Sequence, residues 1–283
     1  MLLLVAINEI FLGLDTYLAH RISGTLVPRE WIPVIFGPIA GALLLIAGLI
    51  ALRRRNLASV LATLTLLASV AVGFIGSYFH FIRGTAPAAP PGQRVTISLL
   101  VWAPPVLGPM AFSLIGWLGI SAAWIEDPPG SGNLSVPVWG RLELPFSKTR
   151  AYFFMVGLGT LMAVISSVLD HARHHFADPW MWISTGVGIF GTVVPVLLGM
   201  IEKPSRGDLL TYLGGMILLL LMGPLGLYFH VMANLTAGGQ IVIERFIRGA
   251  PFMAPMLFSN MGLLGIIMLM DPTEEMSMGS GGN

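Results

Sequence analysis

Cysteine is absent from this chain of 283 residues. Its absence excludes disulfide bonds, iron–sulfur clusters, cysteine-ligated zinc sites and covalent c-type haem attachment. Charge is also scarce, because Asp, Glu, Lys and Arg make up 10% of the residues, whereas soluble domains carry about 25%. So few charges cannot cover a folded chain with a water-compatible surface. The net charge of +1 gives no reason to expect a nucleic-acid partner.

Apolar residues are what the chain has in abundance, at 55% of the sequence. They form eight runs, and about 20 helical residues cross a hydrocarbon core of about 30 Å. Each run is long enough to do so. We therefore predict an all-α polytopic membrane protein with about eight transmembrane helices, at residues 2–20, 33–52, 57–81, 96–124, 152–174, 180–201, 209–235 and 245–270.

An internal repeat relates the two halves of the sequence. The segment GFIGSYFH (73–80) matches GPLGLYFH (223–230), and PMAFSLIGWLGI (109–120) matches PMLFSNMGLLGI (255–266). Repeats of this kind indicate duplicated structural units. With four helices each, two tandem four-helix bundles would share one orientation in the membrane. The predicted divisions are an N-terminal bundle at 1–125, a linker at 126–147, a C-terminal bundle at 148–271 and a disordered tail at 272–283.

All six histidines fall at one membrane face of this predicted topology. Each lies near the end of an odd-numbered apolar run, and odd-numbered helices run in the same direction. His80 and His230 occupy equivalent places in the repeat, and His20 corresponds to His174 or His175. The pattern predicts a ring of imidazoles, formed by His20, His80, His171, His174, His175 and His230.

Paired histidines on different helices of a bundle are the arrangement that a bis-imidazole b-type haem needs. The predicted ligands are His20 with His80, and His174 or His175 with His230. Glycines without side chains could admit the flat macrocycle, at Gly73, Gly76, Gly223 and Gly226. Cations beside the histidines could pair with the propionates, at Arg21, Arg83 and Arg173. The alternative cofactor is a transition-metal ion, namely iron, copper or zinc.

Carboxylates inside apolar helices are costly and suggest function. Asp15 and Asp170 occupy equivalent positions in the repeat, and Glu9 lies nearer the middle of the first helix. Asp170 and His174 are four residues apart, so a continuous helix would present both to one metal ion. Glu9, Asp15 and His20 also fit a proton relay along the first helix. All three acids are therefore predicted to orient ligands or to move protons.

Two tandem four-helix bundles with paired histidines at one face resemble the layout of haem A synthases, although the paired histidines of those enzymes belong to even-numbered helices. The number of helices is similar to that of the quinone-interacting membrane subunits of the polysulfide-reductase type. The resemblance implies an architecture and a class of partner, namely a quinone or other redox subunits. It carries over no individual residue, since fold alone does not fix function.

These observations favour a redox subunit of the bacterial inner membrane that binds haem b or another metal. The arginine cluster at 53–55 favours termini in the cytoplasm. Two other interpretations stay open. The same acids and histidines would suit a transporter of a metal ion or small solute. The chain would instead be a structural subunit of a larger membrane complex if the histidines are ordinary residues of the water interface and the arginines merely extend towards water.

Overall fold

The computed structural model describes residues 1–24, 26–236 and 238–269, and this part of the chain is mostly helical. The predicted tail at 272–283 lies outside the described residues. Ten α-helices occur within the described part. They are α1 Leu2–Ser23, α2 Trp31–Ala51, α3 Arg55–Arg83, α4 Ile97–Trp102, α5 Met110–Ala123, α6 Lys148–Ala172, α7 Pro179–Met200, α8 Arg206–Thr236, α9 Ile243–Arg248 and α10 Met256–Met268.

Six of these helices are long and apolar enough to cross a membrane, namely α1, α2, α3, α6, α7 and α8. Large apolar side chains also stand on their outer surfaces. Leu49 is 70% exposed on α2, and Leu210 is 68% exposed on α8. A protein in water rarely exposes contiguous apolar surface of this extent. The six helices and their apolar outer faces are compatible with an integral membrane protein.

The predicted fourth and eighth helices are each divided. In the first half, α4 ends at Trp102 and α5 begins at Met110, with a non-helical stretch at 103–109 between them. In the second half, α9 and α10 are separated by 249–255. Prolines cause both breaks, because proline lacks the amide hydrogen of a helix and disfavours helical backbone at the preceding residue. The prolines concerned are Pro104, Pro105, Pro109, Pro251 and Pro255.

The predicted linker at 126–147 contains regular structure, although the described chain as a whole is mostly helical. It holds a small antiparallel sheet of β1 Ile125–Glu126, β2 Asn133–Val136 and β3 Gly140–Glu143. The Glu126 carboxylate accepts hydrogen bonds from the backbone amides of Gly130, Gly132 and Lys148, at 3.1, 2.6 and 3.0 Å. One acid therefore ties the sheet to the start of α6.

Local capping explains where several helices begin and end. Gly24 follows α1 in a left-handed conformation (φ 70°), which glycine adopts without steric cost. The Ser147 hydroxyl accepts a hydrogen bond from the Arg150 amide at the start of α6. Asp178 does the same for Trp180 at the start of α7, where Pro179 occupies the first helical position. These are standard start and stop signals.

Helix packing follows the same order in both halves of the chain. In the first half α2 packs against α1 and α3, and α5 packs against α3 and α1; in the second half α7 packs against α6 and α8, and α10 packs against α8 and α6. The halves meet where α4 and α5 contact α6 and where α9 contacts α1. The Asn8 amide donates to Asn260 Oδ1 across this boundary at 3.0 Å.

Individual contacts recur at equivalent positions as well. The Ser113 hydroxyl donates to the carbonyl of Val70 at 2.7 Å, and the Ser259 hydroxyl donates to the carbonyl of Leu220 at 2.5 Å. In each pair the serine belongs to the shorter apolar helix and the carbonyl to the long helix beside it. Such bonds between helices satisfy hydroxyl groups that would otherwise be buried without partners.

Candidate histidine site

His20 and His80 come together at the ends of α1 and α3. Their ring centroids are 5.9 Å apart, and the ring planes meet at 72°. Both residues lie in the last turn of their helices, and α1 and α3 run in the same direction on either side of α2. Two imidazoles from separate helices therefore face each other at one end of the first half.

A backbone carbonyl contacts the Nδ1 atom of each ring. His80 Nδ1 lies 2.9 Å from the carbonyl oxygen of Pro105, and His20 Nδ1 lies 2.8 Å from that of Thr16. A carbonyl can only accept, so Nδ1 carries a hydrogen, and in the neutral ring the lone pair is then on Nε2. This is the tautomer in which a histidine binds metal through Nε2 while a second group orients the ring. The break between α4 and α5 supplies the carbonyl for His80.

Glu30 and Arg83 lie beside this pair, and sequence reasoning missed Glu30. The acid ends a 3-10 turn at Pro28–Glu30, is buried, and forms an ion pair with Arg83 at 3.1 Å. Its charge also acts on His80. The signal that could have found it is Pro28, a residue typical of helix starts, followed two positions later by an acid.

The second half contains a similar contact between a histidine and a proline carbonyl, but no similar pair of histidine rings. His230 Nδ1 lies 2.9 Å from the carbonyl oxygen of Pro251, as His80 does from Pro105. Within the described residues no other histidine ring is in contact with His230, although His171 lies within electrostatic range of it. The helix α6 ends at Ala172, so His174 and His175 occupy the turn that follows, and the helical alignment predicted for Asp170 and His174 does not form. Asp170 still lies within electrostatic range of His174 and His230.

Two of the three arginines predicted to meet propionates have other contacts. Arg83 is paired with Glu30. Arg173 pairs with Asp170 at 3.4 Å and donates to the carbonyls of Val101 and Ala103 at 2.6 and 3.2 Å. It thereby joins the end of α6 to the end of α4 in the other half. Arg21 is exposed at the end of α1.

The glycine faces predicted to admit a macrocycle are closed. A methyl group added to Gly76 would lie 2.7 Å from Pro109 Cβ, and one added to Gly226 would lie 2.6 Å from Pro255 Cβ. Gly73 and Gly223 meet Ser113 and Ser259 in the same way. These glycines serve close packing between helices. A cavity of about 40 Å³ between α5 and α6 holds about one water molecule and no macrocycle.

The acids of α1 point in different directions. Glu9 is completely buried and lies 2.5 Å from the Ser69 hydroxyl of α3, whereas Asp15 is exposed. Asn8 contacts Asn260 of α10, and Asp15 lies seven positions after Asn8. Residues seven apart share a helix face, so Asp15 lies on the side of α1 that contacts α10. Glu9 and Asp15 are six positions apart in the sequence, which places them about 120° apart on an ideal helix. The relay predicted along α1 would therefore have to pass between two faces of the helix.

Among the residues that the structure describes, no three His, Asp or Glu side chains converge as a metal ion would require. The site brings together His20, His80, Glu30 and Arg83, and leaves His174, His175 and Asp15 outside that cluster. Comparison of the chain with protein-family models, curated proteins and solved structures gave no match.

Proposed function

We propose that this protein is a membrane redox subunit whose first half holds a metal centre between His20 and His80, with the iron of a b-type haem as the best match. The observation that carries the proposal is the ring pair with its centroids 5.9 Å apart. With metal–nitrogen bonds of about 2 Å, two imidazoles on one ion have centroids about 6 Å apart. The Nδ1–carbonyl contacts support ligation through Nε2.

The number of ligands favours haem over a simple ion. A structural zinc site takes four protein ligands and a catalytic one takes three. A haem iron takes its four equatorial nitrogens from the macrocycle and needs only two axial residues. The donor set at His20 and His80 fits that need. The closed faces of Gly73 and Gly76 mean that these glycines do not form the macrocycle slot.

Haem b bound here would supply one-electron transfer to a quinone or another redox subunit. The chain's own residues would set the conditions for that chemistry. Carbonyls of Thr16 and Pro105 hold the imidazole rings in one tautomer. The buried Glu30 and its partner Arg83 place an acid and a base next to His80 without adding net charge.

The absorption spectrum of detergent-purified protein tests this proposal. We expect a Soret band and about one haem per chain, lost on His20→Ala and on His80→Ala because each removes an axial ligand. His230→Ala is the matched control, since His230 makes the same carbonyl contact but has no histidine ring in contact with it within the described residues. A purified protein with neither haem nor stoichiometric iron, copper or zinc would refute the proposal and leave the transporter and structural-subunit interpretations.

A transporter of a metal ion or small solute is the second candidate, favoured by the two broken helices. Gly/Pro-interrupted segments at corresponding positions of two halves are a common pointer to a transporter's binding site, because unwound backbone offers carbonyls to an ion. Here 103–109 and 249–255 are such segments. This candidate predicts flux in proteoliposomes that is lost on Asp170→Asn and unaccompanied by any visible spectrum.

We further infer that the chain is a tandem duplication with eight membrane crossings and cytoplasmic termini. Recurring contacts at Ser113 and Ser259 support the duplication. A helix of 14 residues such as α5 extends only about 21 Å. It would complete a crossing of about 30 Å together with 103–109, and α10 would do so with 249–255. The bacterial inner membrane stays the proposed location.

A further inference from the structure

Glu9 is buried without the partners that a charged carboxylate requires. Its exposed fraction is 0%, and it lies in α1 about 10 Å from Leu2 along the helix axis. Oε1 is 2.5 Å from the Ser69 hydroxyl oxygen. Oε2 has no hydrogen-bond partner within the described part of the chain. An ionised carboxylate offers about four acceptor positions, and a buried charge is very costly unless such positions are filled.

The two hydrogen-bond contacts of the Ser69 hydroxyl indicate that Glu9 carries a proton. Ser69 Oγ lies 2.5 Å from Glu9 Oε1 and also 2.9 Å from the carbonyl oxygen of Phe112. A serine hydroxyl has one hydrogen to donate, and a carbonyl oxygen can only accept. If that hydrogen goes to Phe112, the contact with Glu9 needs a hydrogen from the acid itself. A proton on Glu9 Oε1 satisfies both contacts at once.

The surroundings leave no room for a larger ligand. The helices packed around this part of α1 present Gly37 of α2, Ser69 of α3 and Phe112 of α5, and Gly37 packs directly against the backbone of Glu9 and Gly13. No charged side chain in the described ranges acts on Glu9. Metal cations such as Ca²⁺ take about six to eight oxygen ligands, and the nearby oxygens of Ser69 and Phe112 are too few.

The second half has no such acid. By the repeat offsets, Val164 occupies the position of Glu9 and Leu219 that of Ser69, and both are buried. An apolar pair in the equivalent place shows that helix packing does not require the acid. The hydrogen-bonded carboxyl belongs to the half in which His20 and His80 meet.

We propose that Glu9 is a proton-binding site in the interior of the first half, with the proton on Oε1 donated to Ser69 Oγ and the Ser69 hydroxyl donated to the Phe112 carbonyl. With this proton bound, the Glu9 side chain is a neutral carboxylic acid. The proposal stands apart from the histidine centre, since it requires neither a metal nor a cofactor.

Infrared spectroscopy of the purified protein at neutral pH tests the proposal directly. A protonated carboxylic acid has a carbonyl stretching band that an ionised carboxylate lacks, and the band moves when the protein is exchanged into D₂O. We expect Glu9→Gln to remove intensity from this band, because the amide has no such vibration. Asp15→Asn is the matched acid control on the same helix and should leave the Glu9 component in place.

Ser69→Ala provides a second readout that does not depend on removing the acid. Without its acceptor, the Glu9 hydroxyl loses a hydrogen bond, so the carbonyl band should move to higher frequency. Thr160→Val is the control, because Thr160 is a buried hydroxyl on α6 that donates to Val156 of its own helix at 2.9 Å. A band of unchanged area in Glu9→Gln, or of unchanged frequency in Ser69→Ala, would overturn the proposal whatever the haem content of the sample.

Discussion

Gly76 and Gly226 show how much a single hydrogen side chain matters in this protein. Each lies on a long helix, at the point where the proline that precedes the shorter apolar helix packs against it. A methyl group added to Gly76 would lie 2.7 Å from Pro109 Cβ, and one added to Gly226 would lie 2.6 Å from Pro255 Cβ. Proline rings cannot rotate away as a flexible side chain would. The close approach of α3 to α5, and of α8 to α10, therefore depends on glycine at these positions.

Gly76→Ala and Gly226→Ala should each destabilise the protein. We expect a loss of about 1–3 kcal/mol, since overpacking a tight contact forces backbone shifts of that cost. Thermal unfolding in detergent measures the effect. Gly48→Ala on α2 is the control, because nothing lies within 4 Å of a methyl group added there. Equal midpoints for Gly76→Ala and Gly48→Ala would contradict the packing argument.

At the scale of elements, the breaks and the small sheet are held by a few polar side chains. Pro105 and Pro251 are the clearest case, because each interrupts a helix and gives its free carbonyl to a histidine on the neighbouring long helix. Glu126 plays a comparable part in the sheet, where three backbone amides converge on one carboxylate. In these irregular segments, side chains thus form hydrogen bonds with backbone groups that would otherwise lack partners.

Glu126→Ala should loosen the sheet at 125–143 while leaving the helices intact. The change leaves the amides of Gly130, Gly132 and Lys148 without their acceptor, and hydrogen bonds to a charged group contribute about 1.5–3 kcal/mol each. Limited proteolysis should cut this segment faster in Glu126→Ala than in wild type. Glu143→Ala on the exposed strand β3 serves as the control. Identical cleavage of Glu126→Ala and wild type would show that the three bonds do not hold the sheet.

At the scale of the whole molecule, the two halves share contacts but differ in chemistry. Ser113 and Ser259 make the same hydrogen bond, whereas the histidine pair and the buried acid occur in the first half. The second half keeps the interhelical hydrogen bond of the first. The bonds of Arg173 to Val101 and Ala103 join its α6 to the first half.

Equivalent substitutions in the two halves should therefore cost similar amounts. Ser113→Ala and Ser259→Ala each remove one interhelical hydrogen bond, for which we expect about 0.5–1.5 kcal/mol. Thermal unfolding of the two single variants provides the comparison. If only one of them changes the midpoint, the contacts are not equivalent and the duplication argument weakens.

The absence of cysteine makes topology directly measurable. Val138→Cys in the turn between β2 and β3 and Gln93→Cys in the loop before α4 lie at opposite ends of the long helices, and both positions are exposed. An impermeant thiol reagent added to intact cells should label Gln93→Cys, while Val138→Cys should react only after the cells are opened. Labelling of both in intact cells would exclude the proposed crossings.

The sequence by itself determined the long apolar helices and the prediction that their histidines share one end, because hydrophobicity and length are local properties. It also located the prolines that break two helices, but the extent of the breaks depended on their neighbours. Pro105 and Pro251 gain histidine partners only in the folded chain.

Only the tertiary structure decided which polar groups meet. Glu9 and Asp15 lie on one helix with similar apolar surroundings in sequence, yet Glu9 is buried against Ser69 and Asp15 is exposed. Lipid and protein interior are both apolar, so a membrane helix carries no hydrophobic stripe that marks its inward face. Small residues such as Gly37 set which faces pack closely. That packing brings the rings of His20 and His80 into contact, whereas no such ring contact forms at His230 within the described residues.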